Sequence, residues 1–289
     1  MSADRRPVAL AVAPNGARRS RADHPALPLS PVELAECAEA CLAAGASMLH
    51  LHVRDAAGRH SLDPDRYRAA LDAIRDRVGN ALLLQVTTES AGLFGPAEQI
   101  AAARALAPEA LSLSIRELWR DPAVRDDAAA FLQDLGARDA LVQYIVYDAA
   151  DLALCARLHA DGTLPQRMPH VLLVLGAYAE QRSGEPSELV PLVAAVPTDW
   201  RWSVCAFGGA ELQCVAAAAL LGGHVRVGFE NNLALPSGQR ATDNADAVRT
   251  CRDALTMLGL RAASCIETRR LFRDVSEAPA TCNPSGDSP

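Results

Sequence analysis

The 289-residue chain contains no lysine, and all 28 of its basic residues are arginine. A Schiff-base aldolase, a pyridoxal-phosphate enzyme and a Walker-A phosphate loop each need a lysine amine, so none of them can be built here. Carbonyl chemistry must use another electron sink, and a metal ion is the obvious one. The 8 cysteines include no C-x-x-C pair, which argues against a zinc ribbon or a thioredoxin-like site. Most lie in Ala- or Leu-rich segments, where a thiol acts as a small buried hydrophobe. Positive charge is also short: 28 basic side chains face 35 acidic ones, a net charge of -7, which removes the field that nonspecific nucleic-acid binding needs. No apolar run reaches membrane length, and the leading MSADRR carries no apolar segment behind its charges. A soluble, cytoplasmic protein with no nucleic-acid or membrane partner is the expectation.

What is present is globular: 50% hydrophobic residues at a mean hydropathy of +0.04. Short β-type runs alternate eight times with longer Ala-rich amphipathic stretches. The expected strands cover residues 8–13, 47–53, 82–87, 110–114, 140–146, 170–175, 200–205 and 224–229. The expected helices cover 31–44, 64–77, 96–105, 122–135, 148–159, 187–196, 209–221 and 245–258. Ser30-Pro31 with Glu33 sets a cap, a first-turn proline and an early acid in order, and Asp63-Pro64 and Asp121-Pro122 repeat the device. Eight β/α units at this length predict an α/β fold of the (β/α)8 TIM-barrel type. A doubly wound open sheet is the alternative, and no G-x-G-x-x-G follows the first strand to favour a dinucleotide site. The barrel is expected to occupy residues 1–272 as a single domain, with 273–289 a disordered tail and 18–29 a long first βα loop over the catalytic face.

Two runs carry candidate chemistry. In Leu49-His50-Leu51-His52-Val53-Arg54-Asp55, the period of two turns both imidazoles toward the barrel mouth. Two neutral nitrogens on one strand suit Zn²⁺ and call for a third ligand. Arg226-Val227-Gly228-Phe229-Glu230-Asn231-Asn232 ends the eighth strand, and alternation sets Arg226, Gly228 and Glu230 on one face. Glu230 then completes a His₂Glu set, or else forms a salt bridge with Arg226 inside the barrel. The amidohydrolase arrangement does not fit: its His-x-His belongs on the first strand, and His170 lies at the wrong end of its own. His24, His60, His159 and His224 fall in loops or at strand bases and read as structural or solvated.

The chain resembles the β-keto acid cleavage enzyme family. The likeness rests on Asn15-Gly16-Ala17, the run from His24 to Pro31, Ala44-Gly45-Ala46 leading into HLHVRD, and GGHVRVGFENNL ending at Leu233. Echoes at Val174-Leu175-Gly176, Trp202-Ser203-Val204, Asn244 and Glu267-Thr268-Arg269 extend it over roughly residues 7–272. The resemblance implies a zinc barrel, a homo-oligomer of tetrameric type, that takes a 3-keto acid and acetyl-CoA to acetoacetate and a new acyl-CoA. It assigns the metal to His50, His52 and Glu230, an active-site arginine to Arg226, and a strand-three hydroxyl to Thr87 in place of serine.

Departures from the family pattern cluster at the same mouth. The family's general-base aspartate is Asn231, and an amide accepts no proton at neutral pH. A first-loop glutamate is Arg18, glycines after the strand-three hydroxyl are Glu89 and Ser90, small residues on strand four are Ile115 and Arg116, and a strand-five carboxylate is Gln143. Arg116 suggests a smaller or anionic substrate side chain. Glu89, just past Thr87, is the candidate replacement base. Two other readings stand beside this one: a metal-binding barrel with little activity, and a zinc lyase or hydrolase in which Asn231 hydrogen-bonds substrate.

Overall fold

The computed structural model describes residues 5–177 and 182–273. Eight parallel strands close into a barrel: β1 (Leu10–Val12), β2 (Met48–His50), β3 (Leu83–Thr87), β4 (Ala110–Ser114), β5 (Leu141–Val146), β6 (His170–Leu175), β7 (Arg201–Ala206) and β8 (His224–Val227). β8 returns to β1 through the pair Arg226 and Ala11. The helices between them are α1 (Pro31–Ala44), α2 (Pro64–Val78), α3 (Pro96–Leu106), α4 (Arg125–Ala137), α5 (Ala149–Ala160), α6 (Pro186–Ala195) and α7 (Glu211–Leu220), and α8 (Asn244–Met257) follows β8. The (β/α)8 barrel is therefore the observed fold. The proposed tail lies outside the described residues except for Arg273.

Alternation along the strands separates two cores. Leu10, Val12, Leu49, Leu84, Leu111, Val142, Leu173 and Val225 point outward into the layer shared with the helices. Inside the barrel, Ala11, Met48, Leu83, Ala110 and Leu141 fill the base, while Ile145, Leu172, Val174 and Cys205 fill the flank below the mouth. Between them runs a band of buried polar side chains: His50, Gln85, Ser112, Gln143, His170, Ser203 and Arg226. The seven cysteines among the described residues form no disulfide, and six of them are buried, as their apolar surroundings imply.

Local chemistry explains most boundaries. Ser30 and Glu33 form the expected capping box on α1, and Asp63 and Asp121 accept from backbone N–H groups two residues on. The expected second strand, in contrast, stops at His50. His52 N donates to the Asn15 side chain (3.2 Å) instead of to a strand, and Val53–Arg54 leaves the barrel to form a hairpin with His60–Ser61. An additional short helix, Ile115–Trp119, follows β4. The base is closed by a C-terminal helix, Cys265–Phe272, capped by Ser264 and Glu267, whose Phe272 ring lies 4.2 Å from that of His170.

Two glycines let the mouth form. Gly16, at φ 62°, leaves room for Glu230, whose Cγ would sit 2.6 Å from any Cβ added there. Gly228, at φ 131°, turns the chain from β8 toward Glu230, and a Cβ on it would lie 2.6 Å from the Ala13 carbonyl oxygen. Gly228→Ala should cost about 2 kcal/mol or more, from left-handed strain together with that clash. Urea unfolding would show it as a lowered midpoint, and an unchanged midpoint would contradict this account of the turn.

Candidate metal centre and active site

His50 ends β2 and His52 follows it with the same inward direction, so rigid backbone brings both rings to the C-terminal mouth. Their Nε2 atoms are 3.1 Å apart. Glu230 arrives from the turn after β8, its Oε2 lying 3.4 Å from each Nε2. These three ligand atoms all fall within 4.8 Å of one another, the only such group of at least three His, Cys, Asp or Glu among the described residues.

The remaining bonds at these side chains show how a salt bridge and a metal site fit together. Glu230 Oε1 accepts from Arg226 Nη2 at 2.9 Å, while Oε2 is buried without a hydrogen-bond partner. The Arg226 pair and the metal-ligand reading are thus compatible, because they use different oxygens. An orphaned carboxylate oxygen beside two imidazole nitrogens is costly unless a cation occupies the space between them. Burial pushes His50 down to about 4 and His52 down to about 3, so both present neutral nitrogens at pH 7. Burial works against ionising Glu230, but Arg226 first, and then His50 and His52, hold it well below the ordinary carboxylate range. A His₂Glu donor set of this kind is typical of catalytic zinc, with an open position left for water or substrate.

The mouth is held from behind by groups that the motifs alone did not assign. His50 Nδ1 donates to Gln85 Oε1 at 2.9 Å, which fixes the ring with Nε2 toward the site. Gln85 shares a face with Thr87 by period two on β3, and that spacing was the available signal. Asn15 Nδ2 donates to the carbonyls of His52 (2.9 Å) and Pro28 (3.0 Å). The Arg54 guanidinium donates to the carbonyls of Gly16, Ala17 and Arg19, tying the first loop down.

Thr87 is buried, and its Oγ1 accepts from Glu89 N at 3.0 Å, turning the chain so that Glu89 faces the donor set. Glu89 Oε2 lies 3.7 Å from His52 Nε2. Burial raises Glu89 to about 7, with the charges of Glu230 and Glu117 adding to the effect and Arg18 and Arg226 opposing it. A bound cation would oppose it further. Asn231 is fully buried: its Oδ1 accepts from Arg226 Nη2 at 3.4 Å, and its Nδ2 has no acceptor. Arg19 crosses the opening, with Nε donating to the Glu230 carbonyl and Nη2 to the Asn231 carbonyl, both at 3.3 Å. The first loop therefore does cover the catalytic face. Beside it opens a cavity of about 280 Å³ bounded by Arg19, Ser183, Phe207, Gly208 and Asn231.

Other expectations find different places. Arg116 stands on the rim, paired with Asp148 and, at 2.7 Å, with Asp151, and stacked on Tyr147; it belongs to neither the donor set nor the adjoining cavity. Its suggested bearing on the substrate side chain therefore has no support in its placement. A larger groove of about 740 Å³, lined by Arg116, Trp119 and Arg157 among others, runs along the outer helices rather than at the metal ligands. His24, His60 and His224 are buried and hydrogen-bonded, as structural histidines, with His60 Nε2 donating to the Glu89 carbonyl at 2.7 Å. No helix among the described residues is long and apolar enough to cross a membrane.

A (β/α)8 barrel with two histidines and a glutamate converging at its C-terminal mouth defines a metal-dependent enzyme class. Comparison makes the assignment narrower: residues 7–273 match the beta-keto acid cleavage enzyme family, and the chain belongs to it. A 3-keto-5-aminohexanoate cleavage enzyme of Fusobacterium nucleatum subsp. nucleatum is 28% identical over 269 residues, covering 89% of this chain and 94% of that one. A 3-oxoadipate:acetyl-CoA acetyltransferase of Cupriavidus necator is 27% identical over 282 residues, covering 92% and 94%. The apo structure of ObcA superposes with a TM-score of 0.71 at 19% identity, over 86% of this chain and 65% of ObcA, so this chain spans about two-thirds of that protein and the likeness speaks for the fold.

If His50, His52 and Glu230 are the ligands, the purified chain should carry about one zinc per molecule, and the His50→Ala/His52→Ala double variant should carry none. Glu230→Gln should keep the fold and bind zinc about tenfold or more weakly, because an amide oxygen is a poorer donor to a cation. Elemental analysis with chelator competition reads both outcomes. Full occupancy in the double variant would dismiss the site, and unchanged affinity in Glu230→Gln would leave Glu230 as Arg226's salt-bridge partner only.

Proposed function

We propose that the chain is a zinc-dependent acyltransferase that takes a 3-keto acid and acetyl-CoA to acetoacetate and a new acyl-CoA. The observation that carries the reading is the unpaired Glu230 Oε2, facing two neutral imidazole nitrogens in a chain of this family. Acetyl-CoA use in the Cupriavidus necator relative and 3-keto acid cleavage in the Fusobacterium relative support the reaction class. Zinc held by His50, His52 and Glu230 would supply the positive charge that makes the carbon between keto and carboxylate groups acidic.

The chain's own residues then divide the remaining work. Arg226, fully buried and paired with Glu230, keeps positive charge at the mouth without needing solvent. Asn231 cannot take the substrate proton, and its unpaired Nδ2 is suited to donate to a substrate oxygen. Glu89 is the carboxylate turned toward the ligands by the Thr87 hydroxyl, and it is the base in this reading. Thr87 acts through that turn. Arg19, spanning the carbonyls of Glu230 and Asn231, narrows access for water.

Acetoacetate release from a panel of 3-keto acids with acetyl-CoA tests the reaction. Glu89→Gln should lower kcat about a hundredfold or more with zinc content unchanged, the loss typical of removing a general base. Asn231→Asp should keep activity or raise it, since it restores the family's carboxylate. Normal turnover in Glu89→Gln would eliminate Glu89 as base. An Asn231→Asp enzyme still inert toward every 3-keto acid tried would favour instead a zinc lyase or hydrolase, in which the Asn231 amide binds substrate.

A further inference from the structure

A continuous line of buried hydrogen bonds crosses the barrel interior behind the metal ligands. His50 Nδ1 donates to Gln85 Oε1 (2.9 Å), Gln85 Nε2 donates to Gln143 Oε1 (3.4 Å), and Gln143 Nε2 donates to His170 Nε2 (3.1 Å). Ser203 Oγ lies 2.8 Å from that same His170 nitrogen. All five side chains are at most 4% exposed, so water does not compete for these bonds. They come from β2, β3, β5, β6 and β7, so that only closure of the barrel joins them.

The line has a direction. Each amide turns its carbonyl toward the ligands and its NH₂ group away from them. An amide cannot reverse without presenting a donor to a donor at one end, so the orientation of one member fixes the next. His170 Nε2 can accept from Gln143 only in the tautomer that carries its proton on Nδ1, and burial beside His224 and Arg201 keeps the ring from taking a second proton. At the other end, His50 must carry its proton on Nδ1 for Nε2 to reach a metal. With both amides reversed, Gln85 would offer NH₂ to Nδ1, move the imidazole proton to Nε2 and remove a ligand.

We propose that Gln143 and His170, acting through Gln85, are positioning residues that hold His50 in its metal-binding tautomer. The inference rests on the metal reading of His50, His52 and Glu230, but it concerns residues that touch neither metal nor substrate. It also gives Gln143 a role of its own. A carboxylate there would accept at both ends, whereas the amide passes a direction from the barrel base to the mouth.

Gln143→Met keeps length and apolar bulk and removes both bonds, while Gln143→Glu keeps the acceptor for Gln85. The Met variant should bind zinc about tenfold or more weakly than the unaltered chain, and the Glu variant within about threefold of it, the scale expected for a ligand's hydrogen-bond partner. Long-range ¹H–¹⁵N spectra of the zinc-free proteins, with His50→Ala as assignment control, should show His50 protonated on Nδ1 in the unaltered chain and the Glu variant, and a mixture of tautomers in the Met variant. Should Gln143→Met fail to fold, Gln85→Met cuts the same line one step nearer the site. A folded Met variant with the original tautomer and zinc affinity would overturn the proposal, as would a Glu variant as impaired as the Met variant. An unaltered chain that binds no zinc would instead refute the metal reading, and the tautomer spectra would still decide whether the line orients His50.

Discussion

The carboxylate of Glu230 has two oxygens in different situations, and the mouth of the barrel is organised around that difference. Oε1 is neutralised by Arg226, which is itself buried and would be costly there without its partner. Oε2 faces His50 and His52 at 3.4 Å and completes a hydrogen bond with neither. Two imidazoles kept neutral by burial and a carboxylate kept charged by an arginine form a donor set ready for a cation at neutral pH. Removing the arginine would take away the largest influence that opposes burial at Glu230, shifting it toward the protonated form and a poorer ligand.

The same constraint accounts for the polar interior. A barrel of eight strands has a packed centre, and here apolar side chains fill its base and one flank while a band of amides, hydroxyls and histidines fills the rest. Such groups cost least when hydrogen-bonded to one another, as five of them are in the line from His50 to Ser203, whereas Ser112 Oγ finds no partner. The loops are tied down in similar fashion. Asn15 takes the place of a strand at His52, Arg54 collects three carbonyls of the first loop, and Gly16 yields the space that Glu230 occupies. Ligand geometry is thus set by backbone contacts from three chain segments rather than by the ligands themselves.

In the proposed reading, the residues at the mouth that stand apart from the family resemblance are mutually consistent. On that reading an amide at Asn231 and a carboxylate at Glu89 would set the acid–base group on the β3 side of the ligands rather than on the β8 side. Arg18 contributes to the charge felt by Glu89, opposing the rise that burial imposes. Arg116 has no such part, since its charge is spent on Asp148 and Asp151 at the rim.

Much of this protein is determined by the sequence alone. Strand and helix periods, proline-led helix starts and the turn glycines are local properties, so eight β/α units, and hence a barrel, could be read with most boundaries displaced by only one to three residues. The direction of His50 and His52 was legible for the same reason: period-two alternation is a property of one strand. Tertiary structure decided what depends on closure. Whether Glu230 meets the histidines, and with which oxygen, depends on β8 returning to β1 beside β2. That β2 ends at His50 depends on Asn15, 37 positions away in sequence, capturing the His52 N–H. Gln85, Gln143 and His170 carry no local signal that they touch, and only strand order and stagger bring their side chains into one line, because hydrogen bonds are fixed by distance in space rather than along the chain.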